Sequence, residues 1–126
     1  MVVDDEPLVC DSIRSVLALD GHQVETASSG EAALAVFAKD RFDVIITDYE
    51  LPLMNGDKLA AAIKALDPTQ PIAVLTAYAE SLQSARTPLA GVDLVISKPF
   101  DVQEFRQAVI RLATSKVRSP GASIGQ

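Results

Sequence analysis

Short apolar runs alternate with longer amphipathic ones about five times along this chain of 126 residues. Val2-Val3 runs into the acidic group Asp4-Asp5-Glu6, and Pro7 follows at a position suited to the first residue of a helix. Val9, Ile13, Val16 and Leu17 recur at helical spacing until Asp20-Gly21 stops them. Gln23 to Ala27 reads as a short strand. Ser28-Ser29 is placed to cap a helix whose apolar face includes Ala33, Leu34 and Phe37. Phe42 to Thr47 centres on Val44-Ile45-Ile46, β-branched and apolar without alternation. Such a strand is buried on both faces, as in a parallel sheet.

Leu51 to Gly56 reads as a loop, with Pro52 and Gly56 as its markers. Leu59, Ile63 and Leu66 mark the next helix, closed by Asp67-Pro68. Pro71 to Thr76 is again a continuous apolar strand, and Leu94-Val95-Ile96 is the last one. Phe100 opens the final helix, where Asp101 and Glu104 have capping-box spacing and Val102, Phe105, Val109 and Leu112 share a face. From Ser115 onward the residues are small and polar, with little to bury, and the tail is expected to be mobile. Alternation of β and α elements with buried strands points to a doubly wound parallel sheet. Right-handed crossovers then bring every strand-to-helix loop to one edge, where such folds bind ligands.

Composition narrows the class. The net charge is -6, which repels phosphate backbones and argues against direct nucleic-acid binding. One cysteine, Cys10, can form neither an internal disulfide nor a thiol metal cluster. No apolar run approaches the roughly 20 residues needed to span a bilayer, so no membrane association is expected. The first residues turn acidic too soon for a signal peptide. The expectation is a soluble, cytoplasmic, single acidic domain.

The topology gives four polar strand ends a common address: Asp4-Asp5, Asp48, Thr76 and Lys98. Three carboxylates brought within a few ångströms repel one another unless a cation sits among them. Hard oxygen donors on rigid strand ends suit Mg²⁺. Lys98 offers a point charge and Thr76 a hydroxyl, the groups that hold phosphoryl oxygens. An aspartate can itself be the nucleophile, giving an aspartyl phosphate. The set reads as a metal-assisted site that phosphorylates one of its own carboxylates, with Asp48 the central candidate.

Five segments carry a resemblance. They are Val2-Val3-Asp4-Asp5-Glu6, Asp43-Val44-Ile45-Ile46-Thr47-Asp48, Leu51-Pro52-Leu53-Met54-Asn55-Gly56, Leu75-Thr76-Ala77 and Ser97-Lys98-Pro99-Phe100. In this order and at these separations, the chain resembles a response-regulator receiver domain of two-component signalling from Met1 to about Ala113. The expected boundaries are a receiver domain over 1–114 and a flexible tail over 115–126.

The resemblance implies a flavodoxin-like α/β fold, with a five-stranded sheet in the order 2-1-3-4-5 and helices on both faces. It implies that Asp48 accepts a phosphoryl group from a histidine kinase or histidine phosphotransfer protein. Asp5 and Asp48 then ligate Mg²⁺ or Mn²⁺ through their carboxylates, Glu50 through its backbone carbonyl, and Asp4 through a bound water. Thr76, Lys98 and the Ala77 backbone contact the phosphoryl group, and the Lys98-Pro99 peptide is cis. Glu50 and Tyr78 border the phosphoryl group and modulate its lifetime. Phosphorylation shifts a conformational balance that controls a partner or output domain of unknown identity. The protein is thus a signalling phosphoacceptor and not an enzyme, and homodimers occur in the family.

Three departures from the family stand out. Only Met1, Val2 and Val3 precede the acidic pair, so either a central strand is stunted, which would weaken the sheet, or residues upstream are missing from this chain. Val95 occupies the switch position where most members place Tyr or Phe. Pro88 falls within Leu82 to Ala90, which predicts a short, kinked or mobile fourth helix. Plain readings compete at single positions. Asp4 and Asp5 alone fit a solvated helix cap, Thr76 an ordinary β residue, and Lys98 a surface charge. His22 is expected in a solvated turn, Cys10 as a small buried or half-exposed residue, and Arg106 and Arg111 are too few for a nucleic-acid site. The rival from another class is a small Mg²⁺-dependent phosphohydrolase with an aspartyl nucleophile. It usually needs a second aspartate two residues after the nucleophile, where this chain has Glu50. A second rival is a binding module that keeps the fold without phosphorylation.

Overall fold

The computed structural model describes residues 1–79 and 91–115. Its elements run β1 (Val2–Val3), α1 (Pro7–Ala18), β2 (Thr26–Ala27), α2 (Gly30–Val36), β3 (Ile45–Asp48), α3 (Gly56–Leu66), β4 (Ile72–Thr76), β5 (Leu94–Ser97) and α4 (Val102–Ser115). The five strands form one sheet in the order β2-β1-β3-β4-β5, every pair parallel. This is the doubly wound α/β architecture expected from the alternation.

The strands are apolar on both sides because both sides are covered. Val3, Ile45 and Ile72 pack with Ala33 of α2 and Leu59, Ala60 and Ile63 of α3. Val2, Ile46, Ala73 and Leu75 point the other way, into a cluster with Cys10, Ile13 and Leu17 of α1 and Phe105 and Val109 of α4. Adjacent strand residues therefore serve opposite helical layers, which removes the polar alternation of a one-sided sheet.

Local chemistry sets the helix ends. Pro7 stands at the start of α1. The Ser29 hydroxyl accepts the Ala32 N–H at 3.0 Å and caps α2. Asp101 accepts the Glu104 N–H at 2.9 Å ahead of α4. Phe100 lies outside that helix, not at its opening, and stacks on Phe105 with ring centroids 4.5 Å apart. The two rings sit on either side of the Asp101 cap, the arrangement of a hydrophobic staple, which fixes how the chain leaves β5 for α4.

The structure corrects several details. The edge strand β2 begins at Thr26 rather than Gln23, since an edge strand with one-sided pairing has less to anchor it. Leu66 ends α3, as its spacing from Leu59 and Ile63 predicts, and is 61% exposed. The chain turns there, and Asp67 is buried instead, accepting both the N–H and the hydroxyl of Thr69. Phe37 falls just past the end of α2 and stacks on Phe42. His22 is not in open solvent: its ring is half-buried, and Nε2 is enclosed with no hydrogen-bond partner. Ser115 belongs to α4, its hydroxyl donating to the Leu112 carbonyl at 2.8 Å. The expectation of a short, kinked or mobile helix around Pro88 and that of a mobile tail from 116 onward fall outside the described residues.

Short as it is, β1 pairs with both neighbours, Val3 facing Ala27 on one side and Thr47 on the other. Arg106 is committed to structure. It donates twice to the Asp20 carboxylate, at 2.9 and 2.6 Å, and ties α4 to the turn after α1. That guanidinium holds the Asp20 carboxyl below the usual carboxylate range.

Candidate functional site

β1 and β3 lie side by side and parallel, so both deliver the residues at their C-terminal ends to one edge. Asp4 and Asp5 leave β1 there, and Asp48 ends β3. One carboxylate oxygen from each of the three lies within 4.8 Å of the other two. Asp4 is 3% exposed and Asp48 9%, whereas Asp5 is open to solvent. β5 reaches the same edge and is followed by Lys98. Its ammonium stands 3.1 Å from Asp48 Oδ1 and 3.9 Å from Asp4 Oδ2. The Lys98 N–H donates to the Thr76 carbonyl at 2.9 Å, which continues the β4–β5 ladder past Thr76 and Ser97. The Lys98-Pro99 peptide is cis.

The charges do not balance. Among the described residues, three carboxylates face one ammonium. Asp4 shows the strain most clearly: burial pushes its carboxyl above the usual range, the Glu6 N–H pulls it back, and Asp48 pushes it up again. Lys98 lowers it and Asp5 raises it, both to a lesser degree. Asp4 Oδ1 takes the Glu6 N–H at 2.9 Å. Asp4 Oδ2 is buried and accepts no hydrogen bond. A desolvated carboxylate oxygen without a donor is costly, and a divalent cation is the group that relieves it. The donors are hard oxygens on strand ends, so the residues fit Mg²⁺ or Mn²⁺.

The other sequence candidates surround this centre. Thr76 is fully buried at the end of β4, and its Oγ1 accepts the Tyr78 N–H at 3.0 Å. Ala77 and Glu50 are exposed, and Tyr78 is 61% exposed. Val95 is half-buried in β5, opposite Val74. Among the described residues, no bond links the Glu50 side chain to the carboxylates.

Three contacts at the site were not legible in the residue pattern. Thr47 donates its hydroxyl to the Asp48 carbonyl at 2.9 Å. Gly56 lies so close that a Cβ there would stand 2.5 Å from the same oxygen. Cys10 is buried and directs its thiol at the Asp4 carbonyl, 3.5 Å away. Burial and that neighbouring carboxylate push the Cys10 thiol up, away from nucleophilic character.

The model of the response regulator receiver domain matches residues 1–110. The chain belongs to this family. Among curated proteins, the receiver domain is 37% identical over 105 residues to the transcriptional regulatory protein KdpE of Mycobacterium tuberculosis, covering 83% of this chain and 46% of KdpE. It is 32% identical over 118 residues to the sensor histidine kinase RcsC of Escherichia coli, covering 94% of this chain and 12% of RcsC. The chain thus spans less than half the length of these relatives. Among solved structures, it superposes on the response regulator TrrA of Thermotoga maritima with a TM-score of 0.78 and 31% identity. That match covers 88% of this chain and 95% of TrrA, whose structure is a complex with Mg²⁺-BeF. Among the described residues, no helix is long and apolar enough to cross a membrane.

Proposed function

We propose that this receiver domain, over residues 1–114, takes a phosphoryl group onto Asp48 from a histidine kinase or histidine phosphotransfer protein and thereby controls a partner or output domain. The observation that carries this reading is the crowding of Asp4, Asp5 and Asp48 around an incompletely neutralised centre, with Lys98 already on Asp48. An Asp48 carboxylate oxygen attacks phosphorus, and the P–O bond forms as the P–N bond to the donor imidazole breaks. The imidazole leaves with that electron pair and takes up a proton. Asp5, Asp48 and the Glu50 carbonyl would hold the divalent ion, with Asp4 acting through a bound water. When bound, the ion supplies the positive charge that lets a dianion enter a carboxylate cluster.

The protein groups do the rest. Lys98 offsets charge on Asp48 and on the incoming oxygens. Thr76 offers its hydroxyl proton to a phosphoryl oxygen while its lone pair keeps the Tyr78 N–H. The Ala77 N–H is the backbone donor beside it. Glu50 and Tyr78 border the entry and set how readily water reaches the ester. The new dianion contacts Thr76 and Lys98, and these contacts bias one conformation over another. Val95 has no aromatic ring to swing, so in this chain the coupling runs through Thr76 and the backbone joining β4 to β5.

Incubation with phosphoramidate and Mg²⁺ tests the reading by intact mass. A gain of one alkali-labile phosphoryl group is expected in the wild-type chain. It should be absent in Asp48→Asn and absent when the divalent ion is chelated. An adduct that persists in Asp48→Asn would overturn the acceptor assignment, and multiple turnover on phosphomonoesters would favour a phosphohydrolase.

A further inference from the structure

The β1–β3 ladder ends at the pair Val3 and Thr47, so the Asp48 carbonyl lies one residue past the last pairing with β1. Beyond a ladder's end, a buried carbonyl needs another donor. Thr47 supplies it. Its side chain is fully buried, and its hydroxyl donates to the Asp48 carbonyl at 2.9 Å. Gly56, the first residue of α3, closes the other side: a Cβ there would stand 2.5 Å from this oxygen and 3.1 Å from Tyr49 Cα. The Gly56 N–H donates to the Tyr49 carbonyl at 2.7 Å. The peptide between Asp48 and Tyr49 is therefore held by a hydroxyl on one side and by the start of a helix on the other.

We propose that Thr47 is a positioning residue for phosphoryl transfer, its hydroxyl fixing the peptide plane that aims the Asp48 carboxylate. The proposal rests on the reading of Asp48 as the acceptor. Valine would fill the same volume in this dry strand without a polar atom to satisfy, and a buried hydroxyl is costly unless bonded. Among the described residues, the hydroxyl's hydrogen bond is to the acceptor residue's own backbone. Asp48 must meet Lys98 and the phosphorus in line, and misplacement of the order of an ångström costs about a hundredfold in rate.

The test uses the full chain, phosphoramidate as donor and saturating Mg²⁺, with initial phosphorylation rate and thermal midpoint both read. Thr47→Val is expected to react about tenfold more slowly than wild type. Thr47→Ser restores the donor and should recover to within about twofold. Thr47→Cys, with a weaker donor, should fall between them, and it supplies the same comparison if the valine variant does not fold. Ile45→Val trims the neighbouring core and should lower the midpoint with the rate unchanged. Wild-type rates in the Val and Cys variants, or a Ser variant as slow as Val, would overturn the positioning role. Phosphorylation of Asp48→Asn under the same conditions would instead overturn the acceptor reading on which it rests.

Discussion

Lys98→Met is expected to bind Mg²⁺ more tightly than the wild-type chain while phosphorylating roughly a hundredfold more slowly. The two effects have one cause. The Lys98 ammonium stands 3.1 Å from Asp48 Oδ1 and 3.9 Å from Asp4 Oδ2. At about 4 Å two unit charges interact by roughly 1–4 kcal/mol between bulk water and a protein surface. Lys98 is 30% exposed, so solvent screening brings the value toward the lower end. Deleting that charge leaves the three carboxylates with no cation among the described residues, and a divalent ion then gains attraction it formerly shared. Phosphoryl transfer loses the positive group beside the nucleophile, and one fixed electrostatic contact of this kind is worth about 10²–10³ in rate. Methionine keeps the length and apolar stem, so the fold should persist. Mg²⁺ titration by calorimetry and phosphoramidate kinetics check the two halves separately. Weaker metal binding together with slower transfer would show that Lys98 supports the site's shape rather than its charge balance.

Asp4→Asn is expected to make the metal-free protein more heat-resistant by several degrees at neutral pH and to weaken Mg²⁺ binding at least about tenfold. Asparagine keeps an oxygen for the Glu6 N–H and removes a buried negative charge. The pH dependence identifies the cause. The Asp4 carboxyl is raised in the folded state, chiefly by burial. The folded chain therefore holds this proton more tightly than the unfolded one. Its contribution favours folding at low pH and declines as pH rises from the unfolded carboxylate value through the raised folded one. Asp20, depressed by Arg106, has the opposite sign: its contribution is present above the unfolded value and fades as pH falls. Comparing wild type with Asp4→Asn across pH 3–7 cancels Asp20 and isolates Asp4. The gain from the substitution should be largest at the neutral end of the range and shrink toward its acid end. An equal gain at all pH values would mean that packing, not charge, explains it.

The gathering of Asp4, Asp5, Asp48 and Lys98 was legible because topology does it. Parallel strands deliver their last residues to one edge, so polar residues that end apolar runs must meet, even when 50 positions apart like Asp48 and Lys98. The two-faced burial of β3 and β4 was legible for a similar reason, since continuous β-branched stretches have no polar face to turn outward. Contacts that depend on single bonds were not. Thr47 reads as one more β-branched strand residue, because hydrophobic pattern reports burial and not where a hydroxyl points. Gly56 reads as a loop marker, although its missing Cβ is what lets α3 approach the acceptor's backbone. Phe37 reads as part of the helix face because periodicity assumes that the helix continues, whereas α2 ends at Val36. His22 reads as solvated from its glycine neighbour, because residue pattern does not show the turn folding back on Leu17.

Borohydride trapping addresses the esterified residue itself. An acyl phosphate is reduced to an alcohol, which converts a phosphorylated aspartate into homoserine that peptide mass spectrometry can locate. After phosphoramidate and Mg²⁺, homoserine is expected at position 48 and nowhere else in the chain. Homoserine at position 4 or 5 instead, or none at position 48 despite a phosphoryl gain in intact mass, would contradict the account.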